Sequence, residues 1–221
     1  MEQVLAEQKA RELRIDVTQV VREFWELILL KGLFDSPYGR DLIFKGGTAL
    51  RLAHGSPRFS EDLDFSLIHD HLKGQFRGSV RKIIAPFPEL AFTDLEEKRY
   101  TYLAEIKVTQ EYLPLPFRVK VEIFRREIKD YQWKLQLVSS PVSTVQVLAQ
   151  VGVLEQIYQD KISCLKDRAK PKDLFDLWYT SQKLKISYTP PPTTLKKKDL
   201  IRDLRKYLPK DFWPAVEELI P

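Results

Sequence analysis

The sequence predicts an α+β fold in which a small mixed sheet flanked by helices is followed by a helical domain. Up to about residue 140, short stretches with strand-like alternation are interleaved with stretches of helical periodicity. After about residue 150, apolar residues recur only at helical spacing. Because strands followed by a run of helices are typical of this class, we place a sheet domain at 1–140 and a helical domain with a basic C-terminal segment at 141–221.

Hydrophobic periodicity places the individual elements. The strands are short apolar or alternating stretches, and the helices have apolar residues three or four positions apart. The elements predicted up to residue 85 are a helix over 17–32, a strand at 42–44, a helix over 48–55, a strand over 63–68 and a helix over 72–85. Those predicted later are strands over 100–108, 117–124 and near 135–137, helices over 154–165 and 172–183, and a basic helix beyond a break at Pro190–Pro192.

Composition excludes several classes of protein. The chain has 221 residues, of which 43% are hydrophobic and 30% are charged, which is typical of a soluble protein with a real core. Its longest apolar stretch, 24–30, is interrupted by Glu26 and is far shorter than a membrane span. There is no signal-peptide pattern, and the single cysteine, Cys164, cannot form an internal disulfide. We therefore expect a cytoplasmic protein with no membrane partner.

The positive charge is concentrated in one segment. Residues 183–210 contain nine Lys or Arg against two Asp, a surplus of seven, whereas the whole chain carries +5. The rest of the chain therefore has a net charge of −2. A polyanion would bind this basic segment, although a lysine-rich helix face exposed only to solvent is an equally good interpretation.

The strongest chemical signal combines a glycine turn with a pair of carboxylates. Lys45-Gly46-Gly47-Thr48 stands between a predicted strand and a predicted helix, and Asp62-Leu63-Asp64 follows after thirteen residues. Glycines at such a turn let a phosphate approach the backbone, and the helix N-terminus offers free N–H groups. Two aspartates at i and i+2 on a strand share one face, where they suit Mg²⁺ together with substrate phosphates. The combination predicts a metal and phosphate site.

These residues also identify a family resemblance. Lys45–Leu50 (KGGTAL) followed by Arg58–Phe65 (RFSEDLDF) closely resembles the AbiEii/AbiGii toxins, which are nucleotidyltransferases of the DNA polymerase beta superfamily. A second block, Asp160–Arg168 and Lys172–Trp178, resembles the C-terminal motifs of that family. The resemblance covers roughly residues 40–180. It implies a nucleotidyltransferase fold for the N-terminal domain.

The resemblance also implies roles for matching residues. The glycine turn, Gly46 and Gly47 with Thr48, would hold the nucleoside triphosphate, and Asp62 and Asp64 would ligate two Mg²⁺ ions. In the second block, Lys161 would contact the triphosphate. Asp176 would be the acidic residue of the last motif, and Asp173 is the alternative for that role.

Three further polar residues are candidates on their own chemistry. Glu122 stands on the polar face of a strand, where it could complete the metal site or accept a proton, or simply be an exposed glutamate opposite Lys120 and Phe124. Arg58 and Ser60 flank the metal strand and could bind nucleotide or hold a loop.

Lys161 falls within an apolar helix stripe, where a lysine is costly unless an anion pairs with it. The anion could be a phosphate, or it could be the carboxylate of Asp173 or Asp176.

The sequence therefore predicts a magnesium-dependent enzyme that moves a nucleoside monophosphate from an NTP to an acceptor hydroxyl. RNA, and in particular a tRNA 3′ end, is the expected acceptor. The resemblance implies the toxic half of a bacterial toxin–antitoxin or phage-defence pair, with an antitoxin encoded nearby. The alternatives are transfer to a small molecule or a protein, and a non-catalytic protein that binds nucleic acid or a partner through the same fold.

Overall fold

A mixed seven-stranded sheet with helices packed against it forms the centre of the molecule. The computed structural model describes residues 1–126, 130–168, 170–190, 192 and 195–219. The helices are α1 (Gln3–Leu13), α2 (Val17–Phe34), α3 (Gly46–His54), α4 (Phe76–Ile84), α5 (Leu154–Asp167), α6 (Pro171–Leu184) and α7 (Lys197–Leu204). The strands are β1 (Leu42–Lys45), β2 (Asp62–Leu67), β3 (Leu90–Glu97), β4 (Thr101–Val108), β5 (Phe117–Phe124), β6 (Trp133–Ser140) and β7 (Ser143–Gly152).

The strand order brings distant parts of the chain together. The order is β3-β4-β5-β2-β1-β7-β6, so the carboxylate strand β2 lies between β5 and β1. β2 pairs parallel with β5 and antiparallel with β1, and β1 pairs parallel with β7. In the two registers, Asp64 stands opposite both Lys45 and Glu122. The residues of the predicted site therefore meet on neighbouring strands.

One face of this sheet is the core face. Phe44, Phe65, Val121 and Val151 point to this face from their strands and are fully buried. They belong to one apolar cluster with residues of α2, α3 and α4. The alternate residues of the same strands point to the opposite face, which is the face that carries Asp62 and Asp64. The period of two thus divides the sheet into a packing face and a chemical face.

Helix α2 is buried nearly all round and carries charges inside the protein. Asp16 caps its first turn by accepting a hydrogen bond from the Thr18 amide. Glu23 is paired with Arg51 at 2.7 Å, and Arg22 with Glu61 at 2.8 Å. Buried charges persist when they are paired in this way.

The C-terminal helices have their own small core. Leu174, Phe175 and Tyr179 of α6 pack with Leu200 and Leu204 of α7 in a cluster that also takes in residues of the C-terminal segment. Several contacts tie this part to the rest of the protein, and two of them join Tyr207 to the segment before β2. The Phe59 amide donates to the Tyr207 carbonyl at 2.8 Å, and the Tyr207 hydroxyl donates to Glu61 at 2.8 Å.

The sheet is larger than predicted. Each predicted helix and strand is present, the strand over 117–124 with the predicted ends and the others with shifted ends, but β3 and β7 were not expected. β7 lies within the range assigned to a helical domain, because its alternating valines complete the sheet beside β1. A separate helical domain beginning near residue 141 stays a prediction.

Two further expectations concern the chain as a whole. Of the break predicted at Pro190–Pro192, Pro191 lies outside the described residues. Among the helices of the described ranges, none combines the length and the apolar character needed to cross a bilayer.

Candidate active site

The glycine turn sets α3 directly against the carboxylate strand. Gly46 has φ +78°, in the left-handed region that favours glycine. A Cβ at Gly46 would lie 2.4 Å from Oδ2 of Asp64, and a Cβ at Gly47 would lie 2.3 Å from Nη2 of Arg58. Larger side chains would therefore push α3 away from β2. The result is a helix N-terminus, with its unpaired amides, beside the Asp64 carboxylate.

Thr48 supports this arrangement from the inside. Its side chain is fully buried, and its hydroxyl donates a hydrogen bond to the backbone carbonyl of Asp62. The bond joins the first turn of α3 to the start of β2. The Thr48 side chain is therefore committed within the protein.

Asp62 and Asp64 lie on one face of β2, as their spacing predicts. Glu122 on β5 is directly opposite Asp64, so three carboxyl groups share this part of the sheet. Burial, together with the negative charge of Asp62, raises the pKa of Asp64 to about 6. Asp62 and Asp64 therefore have too little positive charge around them, and a bound cation would supply it.

Lys120 is a member of this cluster that the sequence analysis treated only as a neighbour. Its ammonium is 2.7 Å from Glu122 Oε2 and 3.9 Å from Asp62 Oδ2. Although partial burial disfavours the charged form, the hydrogen bond to Glu122 and the charge of Asp62 raise the pKa of Lys120. The period of two on β5, which puts residues 120 and 122 on one face, was the signal that could have found it.

The donor set fits a metal held by two carboxylates. Within the described ranges, no three His, Cys, Asp or Glu side chains come close enough together to hold a metal ion. Asp62 and Asp64 are nonetheless hard oxygen donors on one face, and Mg²⁺ is often bound by one or two carboxylates plus phosphates and water. Glu122 is occupied by Lys120, so its place as a third ligand stays a prediction.

A second ionic cluster lies behind the cleft. Asp176 is fully buried and receives two hydrogen bonds from Arg58, at 2.7 and 2.8 Å. The Lys161 ammonium is 2.7 Å from Asp176 and 3.0 Å from Asp173. Burial alone would raise the pKa of Asp176, but the charges of Arg58 and Lys161 outweigh it and lower that pKa to about 2. Both aspartates proposed for the last motif thus pair with Lys161.

Arg58, Lys161 and Asp173 of this cluster, together with the carboxylates of β2 and β5, border one cleft of about 500 Å³ between the chemical face of the sheet and helices α5 and α6. One wall is basic, because Arg168, Lys170 and Lys172 follow one another where α5 ends and α6 begins. At the other wall, the partly exposed ring of Phe124 lies 4.8 Å from the Lys45 ammonium. From the sequence, Lys45 was part of the glycine-turn motif and Phe124 a neighbour of Glu122, but neither was a candidate site residue, and Lys170 was not named.

The structure brings most of the predicted site residues to this cleft. Those that line it are Gly46, Gly47, Arg58, Ser60, Asp62, Asp64, Glu122, Lys161 and Asp173. Thr48 and Asp176 do not line it, because both are enclosed by neighbouring side chains and the backbone. The chemical role of each residue stays a prediction.

Comparison with known proteins identifies the family and the fold of the chain. The sequence model of the "Nucleotidyl transferase AbiEii toxin, Type IV TA system" family matches residues 28–215. No curated protein sequence matches the chain significantly. The fold is similar to JHP933 from Helicobacter pylori, with a TM-score of 0.59, 22% identity, and coverage of 93% of this chain and 78% of that one. It is also similar to MenT4, a nucleotidyltransferase toxin from Mycobacterium tuberculosis, with a TM-score of 0.60, 19% identity, and coverage of 91% and 68%.

The protein is a nucleotidyltransferase. More particularly, because the family model spans most of its length, the chain belongs to the AbiEii family of nucleotidyltransferase toxins of toxin–antitoxin systems.

Proposed function

We propose that this enzyme transfers a nucleoside monophosphate from an NTP to a hydroxyl group of RNA, with Mg²⁺ bound by Asp62 and Asp64. One observation carries the proposal: two carboxylates short of positive charge face the N-terminus of α3 in a cleft with a basic wall. A triphosphate matches both features, since its oxygens can share a cation with the aspartates and accept from backbone amides.

Different residues of the cleft would contact different parts of the triphosphate. Gly46 and Gly47 present backbone amides at the helix N-terminus, and Lys161, which is already paired with Asp173 and Asp176, would turn part of its ammonium toward the triphosphate from the opposite wall. Bound Mg²⁺ would supply charge neutralisation at the transferred phosphate. Arg168 and Lys170 extend the positive wall toward the leaving pyrophosphate.

The acceptor hydroxyl and the NTP are the two reactants of the transfer step. The acceptor oxygen bonds to the α-phosphorus, and the bond from that phosphorus to the bridging oxygen breaks. Pyrophosphate leaves with the electron pair, and the hydroxyl proton passes to a base. Glu122 is the proposed base, because it lies beside Asp64, and Lys120 would hold its carboxylate in place.

The RNA acceptor is supported by a basic groove next to the cleft. The groove, of about 590 Å³, is bordered by Arg11 and Arg14 of α1 and its C-cap, and by Arg205, Lys206 and Lys210 beyond α7. Tyr207 stands between Lys206 and Leu208 of this groove, and its ring lies 5.0 Å from the ammonium of Lys172, which lines the cleft. A nucleic acid backbone bound in the groove would extend from there toward the cleft.

The proposal is tested by incubating the protein with labelled NTP and total RNA, with and without Mg²⁺. We expect label in RNA only when Mg²⁺ is present, and weaker RNA binding in a Lys206→Gln/Lys210→Gln variant. Each lost phosphate contact should flatten the slope of log affinity against log salt by roughly 0.7–0.9. Label in protein or in a small molecule instead of RNA would contradict RNA as the acceptor. An unchanged salt slope would show that the groove does not contact the RNA backbone.

The biological role follows from the family. We propose that the enzyme acts in the cytoplasm, where both substrates occur, as the toxin of a type IV pair or in phage defence, with a neighbouring gene encoding its antitoxin. Growth arrest on expression in bacteria, relieved by co-expression of that gene, is the expected result. Growth unaffected by the active enzyme would contradict the toxin role.

A further inference from the structure

The hairpin β6–β7 exposes a large apolar area at the edge of the sheet. On the core face its valines and Ala149 are buried, whereas the alternate residues face outward. Trp133, Leu135, Leu137 and Leu148 are respectively 43, 58, 59 and 59% exposed. In the register of the hairpin, Leu137 stands opposite Leu148, and Leu135 is two positions away on the same face. The four side chains therefore form one patch, which we call the hairpin patch.

On its own face of the hairpin, the patch has no charged neighbour, and Lys134, the charged residue of β6, is exposed on the other face. The other outward residues of the two strands are Ser139, Thr144, Gln146 and Gln150. In a chain in which 30% of residues are charged, an apolar centre with an uncharged polar border is the composition of an interface rather than of ordinary surface. Exposed edge strands are usually protected by charged residues, and on this face β6 has none.

From these observations we infer that the hairpin patch is the contact between two copies of this chain. The patch exposes on the order of 400 Å² of apolar surface, near the apolar share of the roughly 800 Å² that each partner contributes to a stable interface. Each chain carries a net charge of +5, so two copies repel unless they meet through neutral surfaces. Two hairpin patches meet that requirement.

A twofold arrangement matches the shape of the patch. β6 is the last strand of the sheet, so no further strand of this chain lies beside it. Packing the two patches face to face about a twofold axis would place Leu135 and Leu137 of each copy against the same residues of the other, as a self-complementary interface requires. The patch lies on the same face of the sheet as the cleft carboxylates of β2, and β1 and β7 stand between them and β6.

The test is the molar mass of the protein in solution, which does not depend on nucleotidyltransferase activity. We expect the unaltered chain to be a dimer at micromolar concentration. Leu135→Gln/Leu137→Gln removes four apolar contacts from a twofold dimer and should raise its dissociation constant by roughly a hundredfold or more. The matched control is Leu115→Gln, since Leu115 is 73% exposed outside the hairpin, and it should leave the dimer unchanged.

A cross-link tests the same contact if the double variant fails to fold. Leu137→Cys in a Cys164→Ser background should form a disulfide-linked dimer on mild oxidation, whereas Leu115→Cys in that background should not. The inference is overturned if the unaltered chain is monomeric at about 100 μM, if the double variant folds and stays dimeric, or if Leu137→Cys does not cross-link. A monomer whose hairpin patch binds the antitoxin would also overturn it.

Discussion

Two ionic clusters border the same cleft and differ in their charge balance. The buried cluster contains Arg58, Lys161, Asp173 and Asp176, whose formal charges cancel. The cleft cluster contains Asp62, Asp64, Glu122 and Lys120, which leave two negative charges uncompensated. The buried cluster is balanced in charge without a ligand, whereas the cleft cluster would be stabilised by a bound cation. A ligand-binding residue is therefore recognised by a charge that its neighbours do not balance. The presence of a charged side chain does not by itself identify such a residue.

The largest expected effect comes from breaking the buried cluster. Asp176→Asn leaves Arg58 without its carboxylate in a fully buried position, and breaking such a pair costs about 3–5 kcal/mol of unfolding free energy. Chemical denaturation monitored by circular dichroism measures the loss. The control is Asp35→Asn, which breaks the exposed pair with Lys31 and should cost under about 1 kcal/mol. A loss equal to that of the control would contradict a structural role for Asp176.

The opposite behaviour is expected from the cleft cluster. Asp64→Asn removes a carboxylate that already suffers from burial and from Asp62, so the free energy of unfolding should stay the same or rise. Transfer of labelled nucleotide should fall by roughly a hundredfold or more, since metal neutralisation is worth several kcal/mol at ~1.4 kcal/mol per tenfold. Glu89→Gln, outside the cleft, is the control. Activity within a factor of two of the parent would exclude the metal assignment.

The pH dependence of Mg²⁺ binding sharpens the same comparison. Because the pKa of Asp64 is raised to about 6, its carboxylate is mostly protonated at pH 5 and mostly ionised at pH 7. A metal binds the ionised form, so affinity should fall by about tenfold from pH 7 to pH 5. Titration calorimetry of the protein with Mg²⁺ measures it. Because the pKa of Asp176 is lowered to about 2, that carboxylate stays ionised from pH 5 to pH 7 and does not contribute to the change in affinity. Equal Mg²⁺ affinity at both pH values would contradict the assignment of the metal site to the cleft.

The smallest effect is expected from Lys120. Lys120→Met leaves the cleft cluster with three carboxylates and no internal cation, so Mg²⁺ should bind several-fold more tightly, on the scale of a partly solvated charge pair. The fold should be unaffected, because Lys120 is partly exposed. Lys107→Met, on the neighbouring strand β4, is the control and should leave Mg²⁺ affinity unchanged. Weaker Mg²⁺ binding in Lys120→Met would mean that Lys120 organises the site rather than competing with the metal.

Local patterns predicted part of the site and missed another part. The i, i+2 spacing of Asp62 and Asp64 placed them on one face of a strand, and the glycine turn stands where the pattern put it. The apolar stripe around Lys161 indicated a buried ammonium in need of an anion, and the structure provides Asp173 and Asp176. β7 was not predicted although Val145, Val147 and Val151 alternate, because the outward-facing Leu148 interrupts the alternation of apolar and polar residues. β3 carries a weaker pattern, with few buried residues.

The sequence by itself determined the elements and the surfaces that each presents, because helical and strand periods are local properties of the chain. The strand order was decided only by the tertiary structure, which pairs β2 with β5 and puts Glu122 and Lys120 beside the aspartates. The partner of Arg58 was decided in the same way, since Asp176 lies 118 residues further along the chain. Whether a charge is balanced depends on such distant contacts, and no local pattern records them. The balance between the buried and cleft clusters is therefore a property of the fold.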